Sequence, residues 1–328
     1  MALEITPALS LLDEHHLLKE VVNEQKLTFE NVTYDSRKVS DNTLFFCKGN
    51  FKPSYLTSAL EKGATAYVSE QKYAEGMDAT GIIVTNIQKA MALLGAAFYG
   101  FPQNELFIIA YTGTKGKTTS AYFAEHILAK ATDKKVALFS TIDRVLGNEP
   151  DQRFKSDLTT PESLDLFHDM RAAVNNGMTH LVMEVSSQAY KKNRVYGLTF
   201  DVGVFLNISP DHIGRNEHPT FDDYLHCKEQ LLVNSKCCVI NGETAYLRDV
   251  YYTAKATTEP EDIYVFARKG AQISDNIPVD IEYAQKLASA KEKIFTEITH
   301  RRENALVEEH QDMAVALQTY KEKVEEAK

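Results

Sequence analysis

No two of the four cysteines in this 328-residue chain form a C-x-x-C pair. Cys47, Cys227, Cys237 and Cys238 therefore suggest neither a zinc site nor a disulfide framework, and read as buried free thiols. Basic charge is also scarce. Thirty-six Lys and Arg stand against 46 Asp and Glu, a net charge of −10, which argues against a general nucleic-acid or membrane-surface binder. Any anionic ligand must be held by local positive groups. No apolar run approaches the ~20 residues of a membrane span. The opening MALEITPALSLLDEHH has acids where a signal peptide needs a basic and then an apolar run. The expectation is a cytoplasmic protein with no nucleic-acid partner and no membrane insertion. What remains is an ordinary globular composition, 44% hydrophobic and 25% charged, long enough for two domains with full-sized cores.

The first 105 residues read as a small mixed α/β region. Leu9, Leu12, Leu17, Leu18 and Val21 give helical spacing over Pro7–Val22. NVTYDSRKV and TLFFCKG read as short strands. SYLTSALEKGATAYVSE reads as a helix, a stop at Gly63 and a strand, and IQKAMALLGAAFYGFP as a helix ended by Gly100 and Pro102. From about 106 the rhythm changes. The apolar runs FIIAYTG, KVALFST, HLVMEVSS, DVGVFLNIS, KCCVING and IYVFAR alternate with helical segments at Thr118–Ala131, Glu162–Asn176 and Phe221–Asn234. Continuous apolar strands alternating with helices predict a doubly wound parallel sheet over 106–283. Its ligands would sit at the carboxyl ends of the strands. In 284–328, Leu306, Met313, Leu317, Tyr320 and Val324 follow near-heptad spacing among mixed charges. That reads as an amphipathic helical tail, either packed on its own domain or free for a helical partner.

The stretch GTKGKTT sits between a strand and a helix. Gly113 and Gly116 let the backbone turn its N–H groups toward an anion. Lys117 would reach terminal phosphates and Thr118 would offer a hydroxyl to Mg²⁺, with the following helix aimed at the phosphates. The common form GxxxxGK[ST] would need glycine at 111, where this chain has tyrosine. The loop is a shortened GxxGKT.

Other polar clusters follow other strands. MEVSSQAYKKNR ends a strand on Glu184, a natural oxygen ligand for Mg²⁺ beside a phosphate loop and otherwise a solvated strand-end acid. NISPDH brings Asn207, Asp211 and His212. His212 taken singly would be structural, and its shared sheet edge with Glu184 and Lys117 raises a metal-ligand reading. DLTTPES supplies Thr159 and Thr160 and, read locally, an N-cap. Lys228 in YLHCKEQLL would by itself be a surface lysine.

In this order and spacing, TGTKGKTT, TTPES, MEVSSQAYKKNR, NISPDH and YLHCKEQLL resemble the Mur ligase family, and YDSRKV narrows the resemblance to its MurE type. It spans about 30–283. The resemblance implies an ATP-dependent amide ligase of peptidoglycan precursor synthesis. Such an enzyme phosphorylates the free carboxylate of UDP-N-acetylmuramoyl-L-Ala-D-Glu, and an amino acid's amine then displaces the phosphate. The wording FFCKGNFKPSYL is similar to the branch that adds L-lysine. By resemblance, residues 1–105 bind the UDP substrate and 106–283 bind ATP. Gly113, Thr114, Lys115, Gly116, Lys117, Thr118 and Thr119 would hold phosphates, and Asn207 would lie by the nucleotide. Glu184, His212 and Thr118 would hold Mg²⁺, joined by Lys228 if carbamylated. Lys117, Glu184, His212 and Lys228 form the implied catalytic set. Ser36, between Asp35 and Arg37, matches the UDP-binding turn. Thr159, Thr160, Ser186, Lys192 and Arg194 match contacts to the muramoyl dipeptide, where an arginine can grip a carboxylate or diphosphate with two parallel bonds. Phosphoryl transfer needs positioning and charge neutralisation rather than a protein nucleophile, in keeping with the lack of a recognisable Ser-His-Asp set.

Two substitutions depart mildly from the family pattern, Lys115 where many relatives have asparagine and Lys192 where some have glutamine. A third departure is larger. The third domain of this enzyme type, with its Asp-Asn-Pro and arginine motif for the incoming amino acid, has no counterpart here. Lids of that kind complete a site and exclude water, so the expectation is nucleotide and UDP-substrate binding with little or no ligation by this chain alone. Two other readings stay open: a non-catalytic ATP and UDP-precursor binding or scaffold protein, and another ligase of the superfamily such as a folylpolyglutamate synthase.

Overall fold

The computed structural model describes residues 1–76, 78–214, 217–273 and 276–283. The amphipathic tail expected at 284–328 lies outside the described residues. Two sheets organise the rest. The first is built from β2 (Leu18–Val22), β4 (Asn31–Thr33), β5 (Thr43–Phe46), β6 (Ala64–Ser69) and β7 (Thr80–Val84), in the order β2-β7-β6-β5-β4. Only β2 runs antiparallel to its neighbour. A two-stranded ribbon of β1 (Leu3–Glu4) and β3 (Thr28–Phe29) flanks helix α1 (Ile5–Glu14).

The helix expected over Pro7–Val22 is therefore two elements. Helix α1 stops at Glu14, His16 adopts φ 54°, and the chain returns as β2 against β7 with Leu18 opposite Val84 and Val22 opposite Gly81. Leu17, Leu18 and Val21 fit a helical period, but a β-branched pair beside an unpaired strand edge gains more from the ladder than from one further helical turn. Helix α2 (Pro53–Glu61) lies between β5 and β6, and α3 (Ile87–Phe98) follows β7.

The second sheet holds nine strands. In chain order they are β8 (Phe107–Thr112), β9 (Val136–Phe139), β10 (Asp143–Val145), β11 (Arg153–Lys155), β12 (His180–Glu184), β13 (Phe200–Phe205), β14 (Ser235–Asn241), β15 (Ile263–Arg268) and β16 (Ile281–Tyr283). Their spatial order is β11-β10-β9-β12-β8-β13-β14-β15-β16. All neighbours from β9 to β16 are parallel, and β10 and β11 form an antiparallel edge. The helices are α4 (Lys117–Ala131), α5 (Ser163–Asn175), α6 (Ser187–Lys191), α7 (Phe221–Val233) and α8 (Leu247–Lys255). The β10–β11 edge and α8 carried no signal that the sequence analysis used. The six apolar runs all became strands, because a strand covered on both faces must be apolar throughout. This is the expected α/β parallel sheet.

The chain leaves β8 for β9, returns to β12 on one side of β8, and then crosses to β13 on the other. Strand order thus reverses at β8, and a crevice opens beyond the carboxyl ends of β12, β8 and β13. Helix α3 ties the two sheets together. Asn86 caps it by accepting a bond from the Lys89 N–H at 2.9 Å. Its Ala92 and Ala96 pack into the core of the large sheet, while Ile87, Ala90, Met91 and Leu94 pack into that of the small one.

Candidate functional site

Three strand ends build the crevice. The loop after β8 is Gly113–Gly116. Gly116 caps α4 in the left-handed region at φ 85°, a conformation that costs an L side chain roughly 1–2 kcal/mol. The loop is pinned by the segment after β13. The Thr114 N–H donates to the Asn207 carbonyl at 3.0 Å, the Lys115 N–H to Asn207 Oδ1 at 2.9 Å, and Asn207 Nδ2 returns a bond to the Lys115 carbonyl at 2.9 Å. Asn207 thus braces the loop backbone from both sides. Thr118 and Thr119 open α4 beside Lys117 and are partly buried, while Lys115 is exposed.

Two lysines converge on one oxygen. Lys117 Nζ donates to the Gly113 carbonyl at 2.9 Å, and Lys228 Nζ, from the middle of α7, donates to the same carbonyl at 2.7 Å. Lys228 is 2% exposed, so its sequence reading as a surface lysine does not hold. Burial lowers its ammonium far below the usual lysine range, and the neighbouring Lys117 charge adds to the effect. Lys117 is also lowered by burial, while Glu184 opposes that shift. Tyr224, one turn before Lys228, completes this wall. Its ring lies 4.8 Å from Lys228 Nζ and its hydroxyl is 3.1 Å from the Thr114 hydroxyl.

Glu184 ends β12, directly opposite Tyr111 of β8 in the ladder. Its carboxylate accepts from the Thr141 N–H at 2.8 Å and the Thr141 hydroxyl at 3.1 Å, with Thr118 bonded to it as well. Burial raises its carboxyl above the usual range. Glu184 and the Thr118 hydroxyl are hard oxygen donors beside the Lys117 ammonium, the chemistry that holds a divalent cation against an oxyanion. His212 sits at φ 54° and is engaged elsewhere: Nδ1 meets Glu217 at 2.8 Å and Nε2 lies 3.9 Å from Asp211. Its ring centroid is 6.2 Å from that of Tyr224.

Next to Glu184 lies a second polar cluster. The Thr160 hydroxyl donates to the Glu184 carbonyl at 3.1 Å and accepts from the Ser186 N–H at 3.1 Å. Arg194 Nη1 donates to the Thr160 carbonyl at 3.3 Å, and the Thr141 and Thr159 hydroxyl oxygens lie 3.1 Å apart. Thr159, Thr160, Ser186 and Arg194 are thus one assembly, while Lys192 is exposed just past α6. Glu162, in the N-cap position of α5, makes no side-chain cap bond. Its carboxylate instead joins Arg194, at 2.8 Å, to Lys48 of the first sheet's region. Tyr34 adds a bond to Asp165 at 2.7 Å, and Lys48 Nζ lies 4.2 Å from the Tyr34 ring centroid. The YDSRK turn is therefore tied to the crevice through Tyr34. Ser36 itself contributes its carbonyl, which accepts from Lys62 at 2.9 Å, and Asp35 and Arg37 pair at 2.8 Å.

Sequence reasoning missed Thr141, Glu162, Tyr34, Lys48 and Tyr224. Thr141 follows β9 as Glu184 ends β12, so the rule that polar clusters follow strands would have found it. A Ser-His-Asp set, absent from the linear reading, is also present. Ser187, His218 and Asp223 meet with His218 Nε2 at 2.9 Å from the serine oxygen and Nδ1 at 2.6 Å from Asp223. Ser187 and His218 are buried, so no substrate reaches that hydroxyl. The set joins α6 to α7.

The sequence profile described as "Mur ligase middle domain" matches residues 111–301. A UDP-N-acetylmuramyl-tripeptide synthetase of Ligilactobacillus salivarius (strain UCC118) is 99% identical over 283 residues, covering 86% of this chain and 56% of that protein. The protein of the same name from Limosilactobacillus reuteri (strain DSM 20016) is 69% identical over 307 residues, covering 93% of this chain and 59% of the relative. The chain thus spans rather more than half the length of the curated relatives it matches. Among solved structures, a UDP-N-acetylmuramoyl-L-alanyl-D-glutamate–2,6-diaminopimelate ligase superimposes with TM-score 0.66 at 22% identity. That match covers 83% of this chain and 54% of the other, and speaks for the fold alone. No helix of the described residues is long and apolar enough to cross a membrane.

Proposed function

Since the chain belongs to the Mur ligase family, we propose that it carries the nucleotide and UDP-substrate halves of a MurE-type, ATP-dependent ligase of peptidoglycan precursor synthesis. Residues 1–105 would take the UDP end of UDP-N-acetylmuramoyl-L-Ala-D-Glu at the Ser36 turn, and 106–283 would take ATP. L-Lysine is the amino acid that FFCKGNFKPSYL favours. The observation that carries the reading is the meeting of Lys117 and Lys228 on the Gly113 carbonyl, in reach of the buried carboxylate of Glu184.

In this reading the loop N–H groups and Lys117 hold the β- and γ-phosphates. Glu184 and Thr118 would hold Mg²⁺, which supplies neutralisation of phosphate charge. Arg194 and the Thr159–Thr160 segment position the substrate's terminal carboxylate. A carboxylate oxygen attacks the γ-phosphorus, ADP leaves, and an acyl phosphate remains. An amine then attacks the acyl carbon, phosphate departs, and the amine's proton passes to solvent. The ammonium of Lys228, weakened by burial, is easily made neutral. A neutral amine can add CO₂ and lose a proton, giving a carbamate that would serve as a further anionic ligand.

Calorimetry with ATP and with UDP-N-acetylmuramoyl-L-Ala-D-Glu tests the proposal, together with an assay for amide product with L-lysine. Binding of both with little product is expected, because the relatives carry a further two-fifths of chain that this one does not span. Failure of either ligand to bind overturns the reading. Binding of both ligands with no acyl phosphate formed would favour a non-catalytic binding protein.

A further inference from the structure

Where the chain enters α7, three donors of different chemistry meet. The imidazole of His218, the carboxylate of Asp223 and the thiol of Cys227 each offer a ligand atom, and these atoms all lie within 4.8 Å of one another. Asp223 and Cys227 are four residues apart on α7, so they share a face. His218 precedes Thr220, whose hydroxyl caps the helix by accepting from the Asp223 N–H at 3.2 Å. His218 is 0% and Cys227 7% exposed, while Asp223 is half-buried and leaves one side open to solvent.

Ser187 makes the imidazole ready for either of two states. Its hydroxyl, 2.9 Å from His218 Nε2, can donate or accept. With the ring proton on Nδ1, His218 donates to Asp223. With the proton on Nε2, His218 donates to Ser187, and Nδ1 presents a lone pair to the space shared with Asp223 and Cys227. An outer hydrogen bond of that kind fixes the tautomer in metal-bound histidines. A cation already pairs with the carboxylate: Lys191 Nζ lies 2.9 Å from the same Asp223 oxygen that meets His218.

We propose that His218, Asp223 and Cys227 form a binding site for a borderline-soft divalent transition metal, best suited to Zn²⁺, with water as the fourth ligand. Thiolate and imidazole donors disfavour Mg²⁺, which takes oxygen ligands in octahedral geometry. The site is therefore chemically separate from the Glu184 and Thr118 oxygens. Tetrahedral zinc with bonds of about 2.0–2.3 Å spaces its ligand atoms roughly 3.3–3.7 Å apart. The His218–Asp223 contact must widen by about 1 Å from that same geometry and the thiol must close in, both within the reach of side-chain rotation. On entry the metal displaces the Lys191 ammonium from Asp223, and the Cys227 proton passes to solvent. Occupancy would join Ser187 at the start of α6, beside Ser186, to the residue that precedes Lys228 on α7.

The test is a Co²⁺ titration of the purified chain in chelator-free buffer containing Mg²⁺ and no nucleotide. One Co²⁺ per chain is expected, with the intense visible bands of a tetrahedral site, a near-ultraviolet thiolate charge-transfer band and release of a proton. Zn²⁺ should bleach these signals and excess Mg²⁺ should not. Cys227→Ser should abolish the charge-transfer band and weaken Zn²⁺ about 10–100-fold, whereas Cys237→Ser should keep both. Lys191→Met removes the competing cation, retains all three ligands, and should tighten binding about tenfold. The site is overturned if no tetrahedral cobalt signal forms, if the band survives Cys227→Ser, or if Lys191→Met binds no tighter. Since Lys191→Met alters a partly exposed side chain, it decides the matter even should Cys227→Ser fail to fold. No nucleotide or precursor enters this readout, so its failure leaves the ligase proposal untouched.

Discussion

Lys228 and Glu229 are adjacent on α7 and both are buried, yet their surroundings differ. Lys228 has the Gly113 carbonyl to donate to. Glu229 keeps one carboxylate oxygen without a partner, and burial, helped by Asp249, pushes its carboxyl up to about 7 from 4.5. The folded state therefore binds the Glu229 proton more tightly than the unfolded chain does. That contribution to stability is full below about pH 4.5 and is lost as pH rises toward 7. Glu229→Gln should be nearly neutral in thermal midpoint at pH 5 and stabilising at pH 8, by up to about 3 kcal/mol. Equal effects at the two pH values would refute the burial account. At the nucleotide loop, Lys117→Met should weaken ATP about 10–100-fold by calorimetry, the scale of one charge-assisted bond. The UDP precursor's affinity should not move. Loss of both affinities would mean that Lys117 holds the fold rather than the phosphates.

At the scale of elements, β13 meets the start of β14 so closely that residue 203 has no room for a side chain. A Cβ at Gly203 would stand 2.2 Å from Ser235 Oγ and 2.9 Å from its Cβ. Ser235 cannot retreat, because its hydroxyl donates to the Leu231 carbonyl at 2.6 Å. Gly203→Ala should lower stability to urea by about 1–3 kcal/mol, the usual cost of overpacking, and Ser235→Gly in the same chain should recover part of it. A neutral Gly203→Ala would show that the strand shifts freely. The six apolar strands of the large sheet were legible because burial on both faces leaves a continuous apolar signature. The Leu18–Val22 strand was not, since its leucines and valines satisfy a helical period and only the edge of β7 decides between the two. Helix α8 shows why local pattern has limits. Just three of its nine residues, Leu247, Val250 and Ala254, are buried.

Across the whole molecule, the two sheets meet through α3 and through the carboxylate of Glu162, which faces Lys48 and Arg194 at once. Neutralising it would leave two partly buried cations facing each other. Glu162→Gln should cost about 2–4 kcal/mol, and together with Tyr34→Phe should split a single calorimetric transition into two. A single transition at an unchanged midpoint would mean that α3 alone couples the sheets.

The sequence by itself determined the α/β class, the parallel strands, the loop at Gly113–Lys117 and the family. Each of these is local: a run of apolar residues, a glycine spacing, an order of short motifs. It placed Glu184 and Asn207 after their strands because parallel strands send their carboxyl ends to one edge. Only the tertiary structure decided which groups touch. It turned Lys228 from an apparent surface lysine into a buried amine on the Gly113 carbonyl. It recruited Glu162 from a helix start to join two sheets, and it set Cys227, whose spacing in the chain suggested no zinc site, beside His218 and Asp223. Contacts of that kind depend on how helices pack across strands, which no residue's immediate neighbours in the chain encode.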